Sequence, residues 1–349
     1  MTILEETIAE IMELDQHAAK KARERVDQLI KPPNSLGKLE ALAVQLAGIT
    51  GELYPSIANK TILTFAADHG VYEEGISSNP QEITFAQTIQ LSKGFPGVCA
   101  IGKVTGATVS VIDIGVNQDL PDDVQVIRRK IKYGTNNLAK GPAMTRAEAI
   151  RAIEVGIEMA NKAVANGTEL LGTGEMGIGN TTPSTAILAV LANCDPLSIT
   201  GRGAGVGKGG IPHKAAVIRR AIEVNKPNKE DPIDVLAKVG GLEIGGMAGA
   251  MIGAAKNRVP VVVDGYISTI AALIAVAIEP KVKAYLIASH ATNEPGGKLA
   301  SELLSIEPSL HMNMCLGEGS GAALMFPILD AACSMMKNMP TFEDVGMKL

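Results

Sequence analysis

Leu170-Leu171-Gly172-Thr173-Gly174-Glu175-Met176-Gly177-Ile178-Gly179-Asn180-Thr181-Thr182-Pro183-Ser184 is the stretch on which the fold class of this chain turns. It opens on a short apolar run and leads into an apolar helical segment, 185–191, so it reads as strand, Gly-rich loop and helix start. Thr182 suits an N-cap and Pro183 the first helical position. The free N–H groups of such a turn, with the helix dipole behind them, favour an anion. The glycines let the backbone approach that anion closely. Glu175 puts a carboxylate inside the same loop, which a plain phosphate cradle does not need. A tight strand–helix connection without a ligand would carry the same glycines.

Outward from this stretch, apolar strand candidates cover 61–67, 108–114, 169–172, 259–263 and 284–288, with a weaker one at 124–130. Helical patterns lie between several of them, at 146–166, 212–225, 247–256 and 267–278. Alternation of this kind implies an α/β fold: a mostly parallel, Rossmann-like sheet flanked by helices. Before it, residues 2–29 and 36–49 carry helical spacing, interrupted by Pro32-Pro33. A last apolar helix, 322–336, is placed to return to them. The expected organisation is a small helical domain of residues 1–55, joined by about 325–349, and a large α/β domain of residues 56–324. Small and polar residues follow the strands: Asp68-His69-Gly70, Asp113-Ile114-Gly115, the Glu175 loop, Asp264-Gly265-Tyr266 and Ser289-His290. In open α/β sheets ligands bind at that carboxyl edge.

Composition narrows the function. The 349 residues are 46% hydrophobic with 37 glycines, enough for a large core; Trp is absent, so Ala, Ile, Leu, Val and Met must build it. A net charge of -5 gives no basic surplus for nucleic acid, though a pocket for one phosphate needs none. Cys99, Cys194, Cys315 and Cys333 lack metal spacing and read as reduced core residues of a cytoplasmic protein. Residues 1–10 carry no basic n-region of a secretory signal, and the longest apolar run, 267–278, is too short to span a bilayer.

Glu175 and Glu318, the latter in Gly317-Glu318-Gly319-Ser320-Gly321, each sit in a Gly-rich stretch before a helix. A helix N-terminus keeps a carboxylate ionised and able to take a proton; a capping carboxylate on an exposed turn is the alternative. A second Gly-rich run, 201–210, leads into Pro212-His213-Lys214. Lys214 in the first turn of a helix opposes the dipole unless a phosphate sits there; a flexible linker with a solvated lysine is the other reading. The run fits neither the Walker pattern nor a dinucleotide fingerprint. His69 and His290 end strands and could meet, but no His-x-x-x-His pair offers a zinc site, and no nucleophile elbow occurs.

Taken together, these segments resemble the nicotinate-nucleotide–dimethylbenzimidazole phosphoribosyltransferase family. The resemblance runs from Lys31-Pro32-Pro33-Asn34-Ser35-Leu36-Gly37 through Ala67-Asp68-His69-Gly70-Val71, the 172–182 stretch, Gly201-Arg202-Gly203 and His213-Lys214. It continues with Gly241-Leu242-Glu243-Ile244, Val263-Asp264-Gly265, Ser289-His290, Glu294-Pro295-Gly296 and Leu316-Gly317-Glu318-Gly319-Ser320-Gly321. It implies a cytoplasmic homodimer of cobalamin nucleotide-loop assembly that moves phosphoribose from nicotinate mononucleotide to dimethylbenzimidazole, giving nicotinate and α-ribazole phosphate. It implies Glu318 as the base and Glu175 as a second carboxylate. Gly177, Gly179, Asn180, Thr181, Gly203 and Lys214 would hold the phosphate and ribose, and Asn79, Gln81 and Gln87 the acceptor base. No metal, other cofactor or nucleic acid is implied. Two positions depart from the family pattern: Gly297 stands where His is usual, and Lys208, after Gly207, where acidic residues are usual. The accepted base is therefore open among benzimidazoles, phenols and purines, and a non-catalytic nucleotide-binding module is the rival reading. A pyrophosphate-dependent phosphoribosyltransferase would want paired acidic residues after a strand, which are missing.

Overall fold

A computed structural model describes residues 2–347. In chain order the elements are α1 (Ile3–Ala9), α2 (Gln16–Gln28), α3 (Lys38–Thr50), β1 (Lys60–Ala67), α4 (Ile83–Ser92), α5 (Gly97–Thr105), β2 (Ala107–Gly115), β3 (Ile127–Arg128) and α6 (Arg146–Ala165). They continue with β4 (Leu170–Met176), α7 (Thr181–Ala192), α8 (Pro196–Ile199), α9 (Gly210–Asn225), α10 (Pro232–Val239), α11 (Leu242–Lys256) and β5 (Val261–Val263). The last are α12 (Tyr266–Ile278), β6 (Leu286–Ala288), α13 (Gly297–Leu304) and α14 (Ser320–Asn338). The strands form one sheet in the order β3-β2-β1-β4-β5-β6, every neighbouring pair parallel. The strand order reverses between β1 and β4, and there the carboxyl ends part to leave a crevice.

Both sheet faces are covered, which is why the strands are apolar almost throughout. Leu63 and Phe65 of β1, with Leu171 and Val261, pack against Ile153 of α6, Met247 of α11 and Ile270 of α12. Ile62 and Ala66, pointing the other way, pack with Val98 of α5, Leu46 of α3 and Phe326 of α14. The two ends of the chain meet: Ile30 donates its N–H to Pro340 O at 3.0 Å and Phe342 donates to Gln28 O at 2.9 Å. The Lys-Pro-Pro turn is pinned by a covered ion pair, Lys31 Nζ to Glu40 Oε1 at 2.9 Å. Burial pushes the Glu40 carboxyl up, but the Lys31 ammonium and the Leu36 N–H hold it below its ordinary value.

Several boundaries differ from the sequence reading. β4 does not stop at Gly172 but runs to Met176, with Phe65 opposite Glu175. Its glycines serve close packing rather than a loop. A Cβ on Gly172 would meet the Phe326 ring at 3.1 Å, and one on Gly174 would stand 2.1 Å from the carbonyl oxygen of Glu318. Asn180, not Thr182, is the N-cap of α7, and Thr182 and Pro183 lie inside its first turn. α9 starts at Gly210, so Lys214 falls two residues deeper than expected, in the second turn rather than the first. α11 and α14 begin earlier than their apolar runs, at Leu242 and Ser320. β3 is only two residues long. Among the described residues no helix is long and apolar enough to cross a membrane.

Candidate active site

The crevice at the β1/β4 reversal is a cleft of about 360 Å³ at the carboxyl ends of β4, β5 and β6. Glu175, Asp264, His290 and Glu318 form its acidic and basic wall, and Asn180, Thr181 and Gly203 its far end. A larger hollow of about 630 Å³ between α3 and 280–288 gathers none of the polar residues that follow the strands at the cleft, such as Asp264 and His290, and has only lysines and glutamates as charged groups.

Glu318 stands on the turn before α14 with φ +66, a left-handed backbone that costs a residue with a side chain. The turn is held at its carbonyl by Thr64, which donates its hydroxyl at 3.0 Å. Gln87 of α4 donates Nε2–H to Glu318 Oε1 at 2.6 Å. The other oxygen, Oε2, is buried and has no hydrogen-bond partner among the described residues. Burial pushes the carboxyl above its usual range, against the pull of Gln87 and the Val98 N–H, and the Asp264 charge adds to the rise. The sequence reading gave the helix amides to Glu318; they go instead to Asp264. Gly319 N–H donates to Asp264 Oδ2 at 3.1 Å, and Gly321 and Ala322 donate to Oδ1 at 2.6 and 3.0 Å. Burial raises Asp264 despite these amides and the neighbouring His290. Beside it Ser289 donates its hydroxyl to Asp264 O at 2.7 Å and lies 3.1 Å from His290 Nδ1.

Glu175 closes β4. Burial, reinforced by the charge of Asp264, pushes its carboxyl up to about 8, although Asn180 donates Nδ2–H to it. Glu175 is therefore largely protonated at neutral pH, the reverse of the ionised carboxylate expected of a helix N-terminus. Behind it, His69 Nε2 lies 3.1 Å from Glu243 Oε1 with both side chains fully covered. Their angles fall short of a hydrogen bond. Burial lowers the His69 imidazole, but Glu243 and Asp68 outweigh it and raise it above its ordinary value.

Lys214 is 2% exposed and donates Nζ–H to Thr181 Oγ1 at 2.6 Å; its nearest other partner is Gly201 O at 3.5 Å. Among the described residues no carboxylate lies within ion-pairing distance of it. Burial lowers its ammonium to about 8, partly opposed by Glu294. Gly203 N–H, 3.0 Å from Glu294 Oε1, sits on the same corner. The 201–210 run is not a loose linker: Ser77 pairs with Val206, and a Cβ on Gly207 would stand 1.9 Å from Gly75 O.

Glu175, Gly177, Asn180, Thr181, Gly203, Asn79, Gln87 and Glu318 thus share one cleft. Lys214 reaches it through the Thr181 hydroxyl. Gly179 and Gln81 do not line it: a Cβ on Gly179 would meet Ile76, and Gln81 donates its amide to His69 O at 3.1 Å. Asp264, His290, Tyr266 and Glu294 line the cleft without having been assigned a role from sequence; their position after apolar strands was the available signal for the first three. Cys315 is exposed on the cleft rim rather than in the core. Gly297 lies buried at the start of α13, where a Cβ would stand 2.3 Å from Thr292 Cγ2, so a larger residue needs Thr292 to move. Lys208 is exposed and outside the cleft.

A family model described as Phosphoribosyltransferase matches residues 11–347. The nicotinate-nucleotide–dimethylbenzimidazole phosphoribosyltransferase of Alkaliphilus metalliredigens (strain QYMF) is 65% identical over 349 residues, covering 100% of both chains. That of Clostridioides difficile (strain 630) is 51% identical over 347 residues, covering 99% of each. The crystal structure of CobT from Thermus thermophilus is similar with a TM-score of 0.91 at 38% identity, over 95% of this chain and 99% of that one. The chain therefore belongs to the nicotinate-nucleotide–dimethylbenzimidazole phosphoribosyltransferase family.

Proposed function

We propose that this chain transfers the phosphoribosyl group of nicotinate mononucleotide to a ring nitrogen of dimethylbenzimidazole or a related base. Nicotinate and the α-riboside 5′-phosphate are the products. The observation that carries this reading is the free oxygen of Glu318: Oε2 is buried and unpartnered among the described residues, in a cleft whose far end is lined by Thr181, the hydroxyl that accepts from the buried Lys214.

The chemistry follows from those two groups. The lone pair on one imidazole nitrogen forms the new bond to the anomeric carbon. The bond from that carbon to the nicotinate nitrogen breaks, and its electron pair neutralises the cationic ring. The imidazole then carries a surplus proton on its other nitrogen, and Glu318 Oε2 takes it. A carboxylate raised by burial is the stronger base for that step. Gln87 fixes the direction of the carboxylate by holding Oε1. Attack opposite the leaving nicotinate turns a β-linkage into an α-linkage. Lys214, Thr181, Gly203 and the start of α7 hold the phosphate, where a helix N-terminus and a buried ammonium both favour an anion. Glu175, protonated at neutral pH, acts as a donor toward the sugar or base, with Asn180 beside it. Asn79 and Gln87 face the acceptor base.

A cytoplasmic homodimer belongs to the same reading; the free cysteines support the compartment, and the resemblance alone supports the dimer. So does a small helical unit, residues 1–55 with about 325–349, beside the large unit 56–324; the backbone bonds between Ile30 and Pro340 and between Phe342 and Gln28 support it.

The test is incubation with nicotinate mononucleotide and dimethylbenzimidazole, following nicotinate and the riboside phosphate by mass. Product is expected from the native enzyme. In Glu318→Gln, kcat is expected to fall by roughly 10² to 10⁴, the usual worth of general-base catalysis, with nucleotide affinity retained. Undiminished turnover in that variant removes Glu318 as the base. Product with a phenol or purine alone moves the acceptor, and no product with any base leaves a binding module.

A further inference from the structure

The strained turn that presents Glu318 lies between two other carboxyl groups. At its start, Gly317 packs so closely on Glu175 that a Cβ there would stand 1.9 Å from Oε1. At its end, Gly321 lies against His290 Nδ1 and Asp264 Oδ1, which a Cβ would meet at 1.9 and 2.9 Å. Asp264 accepts the backbone N–H groups of Gly319, Gly321 and Ala322 and is 3% exposed. The amide of Glu318 itself acts on the other neighbour, Glu175, and pulls against the rise of that carboxyl. A carboxylate with three backbone donors is held ionised more firmly than its burial alone allows, and its hydrogen bonds are of the strong, charge-assisted kind.

We propose that Asp264 is a positioning residue for the transfer: its carboxylate clamps the left-handed turn that presents Glu318 and, when ionised, puts a negative charge into the cleft wall it shares with Glu318 and Glu175. The inference rests on the reading of Glu318 as the base. Glu318 is faced by Gln87 of α4, Cys99 of α5, Glu175 of β4, Asp264 after β5 and His290 after β6. Glu175 is faced in addition by Asn180, by His69 after β1 and by Glu243 of α11. After burial, the charge of Asp264 raises both glutamates, and no other carboxylate acts on both of them. It thereby makes Glu318 a better proton acceptor and keeps Glu175 a proton donor at neutral pH.

Asp264→Asn separates this role from a plain helix cap. Its amide oxygen still accepts from Gly321 and Ala322, while the negative charge and the acceptor for Gly319 are lost. The expected result is a KM for nicotinate mononucleotide near that of the native enzyme and a kcat lower by roughly a hundredfold, the cost of a misplaced reacting group. The acid limb of kcat against pH is expected to move to lower pH, because the repelling charge beside Glu318 is gone. A lower kcat with the limb unmoved would show a structural cap only and overturn the inference. Should Asp264→Asn fail to fold, Asp264→Glu keeps the charge on a longer arm: kcat should fall with the limb in place, and an undiminished kcat overturns the clamp. Full turnover in Glu318→Gln would remove the underlying reading as well. Loss there, together with an unmoved limb in Asp264→Asn, removes this inference alone.

Discussion

Glu175 shows how a strand end sets proton affinity. Its carboxyl has a folded value of about 8 against an ordinary 4.5, burial being the main cause. The folded state therefore keeps a proton that the unfolded chain gives up. That contribution to stability is full below 4.5 and is lost as pH rises to about 8. Glu175→Gln, which still accepts from Asn180, carries no such dependence. Its melting temperature relative to the native protein is expected to climb steadily across that window, measured by calorimetry in a pH series. A constant difference would mean that Glu175 is ionised in the fold. Lys214 gives the mirror case. Its folded value of about 8 lies below 10.5, so near pH 8 a bound phosphate restores the missing proton. Titration calorimetry with nicotinate mononucleotide at that pH, in buffers of different ionisation enthalpy, should show net proton uptake in the native enzyme. Lys214→Met should lose that part of it. Equal uptake in both would remove Lys214 from the phosphate site. Both glutamates stood out in the sequence because glycines surround them. Asp264 was visible only as a strand end, because the amides it accepts lie 55 to 58 residues further along.

At the scale of elements, the tightest packing is between α6 and α11. Gly249 approaches α6 so closely that a Cβ would stand 1.8 Å from Ile153 O, and Gly156 would place one 2.0 Å from Gly246 O. Gly245 and Gly253 lie along the same contact, facing Ala152 and Ala160. Gly249→Ala is expected to destabilise by about 1–3 kcal/mol through overpacking, despite the better helix propensity of Ala, read from urea unfolding midpoints. A stabilised variant would show that the helices can part freely. These glycines explain why α11 starts earlier than its apolar run suggested: Leu242, Glu243 and Ile244 are helical because tertiary contacts override a Gly-rich, weakly helical sequence. The same cause hid the second half of β4, 173–176, where Gly174 reads as loop until α14 is laid against it. Long periodic helices such as α6 and α12 were legible from spacing alone, since their apolar faces needed no knowledge of the partner.

At the scale of the molecule, the parallel sheet and its carboxyl-edge site were legible because five apolar runs each ended in small or polar residues. Strand order was not, since nothing local says that β1 lies between β2 and β4. That order has a consequence for how the enzyme comes into being. The nucleotide corner, from Glu175 to Lys214, is encoded well before the Leu-Gly-Glu-Gly-Ser-Gly turn, and Glu318 reaches the cleft only when α14 docks over the two glycines of β4. A chain still emerging from the ribosome can thus assemble much of its sheet while lacking Glu318, the proposed base. The final docking of one helix against strands made long before is what completes the proposed site.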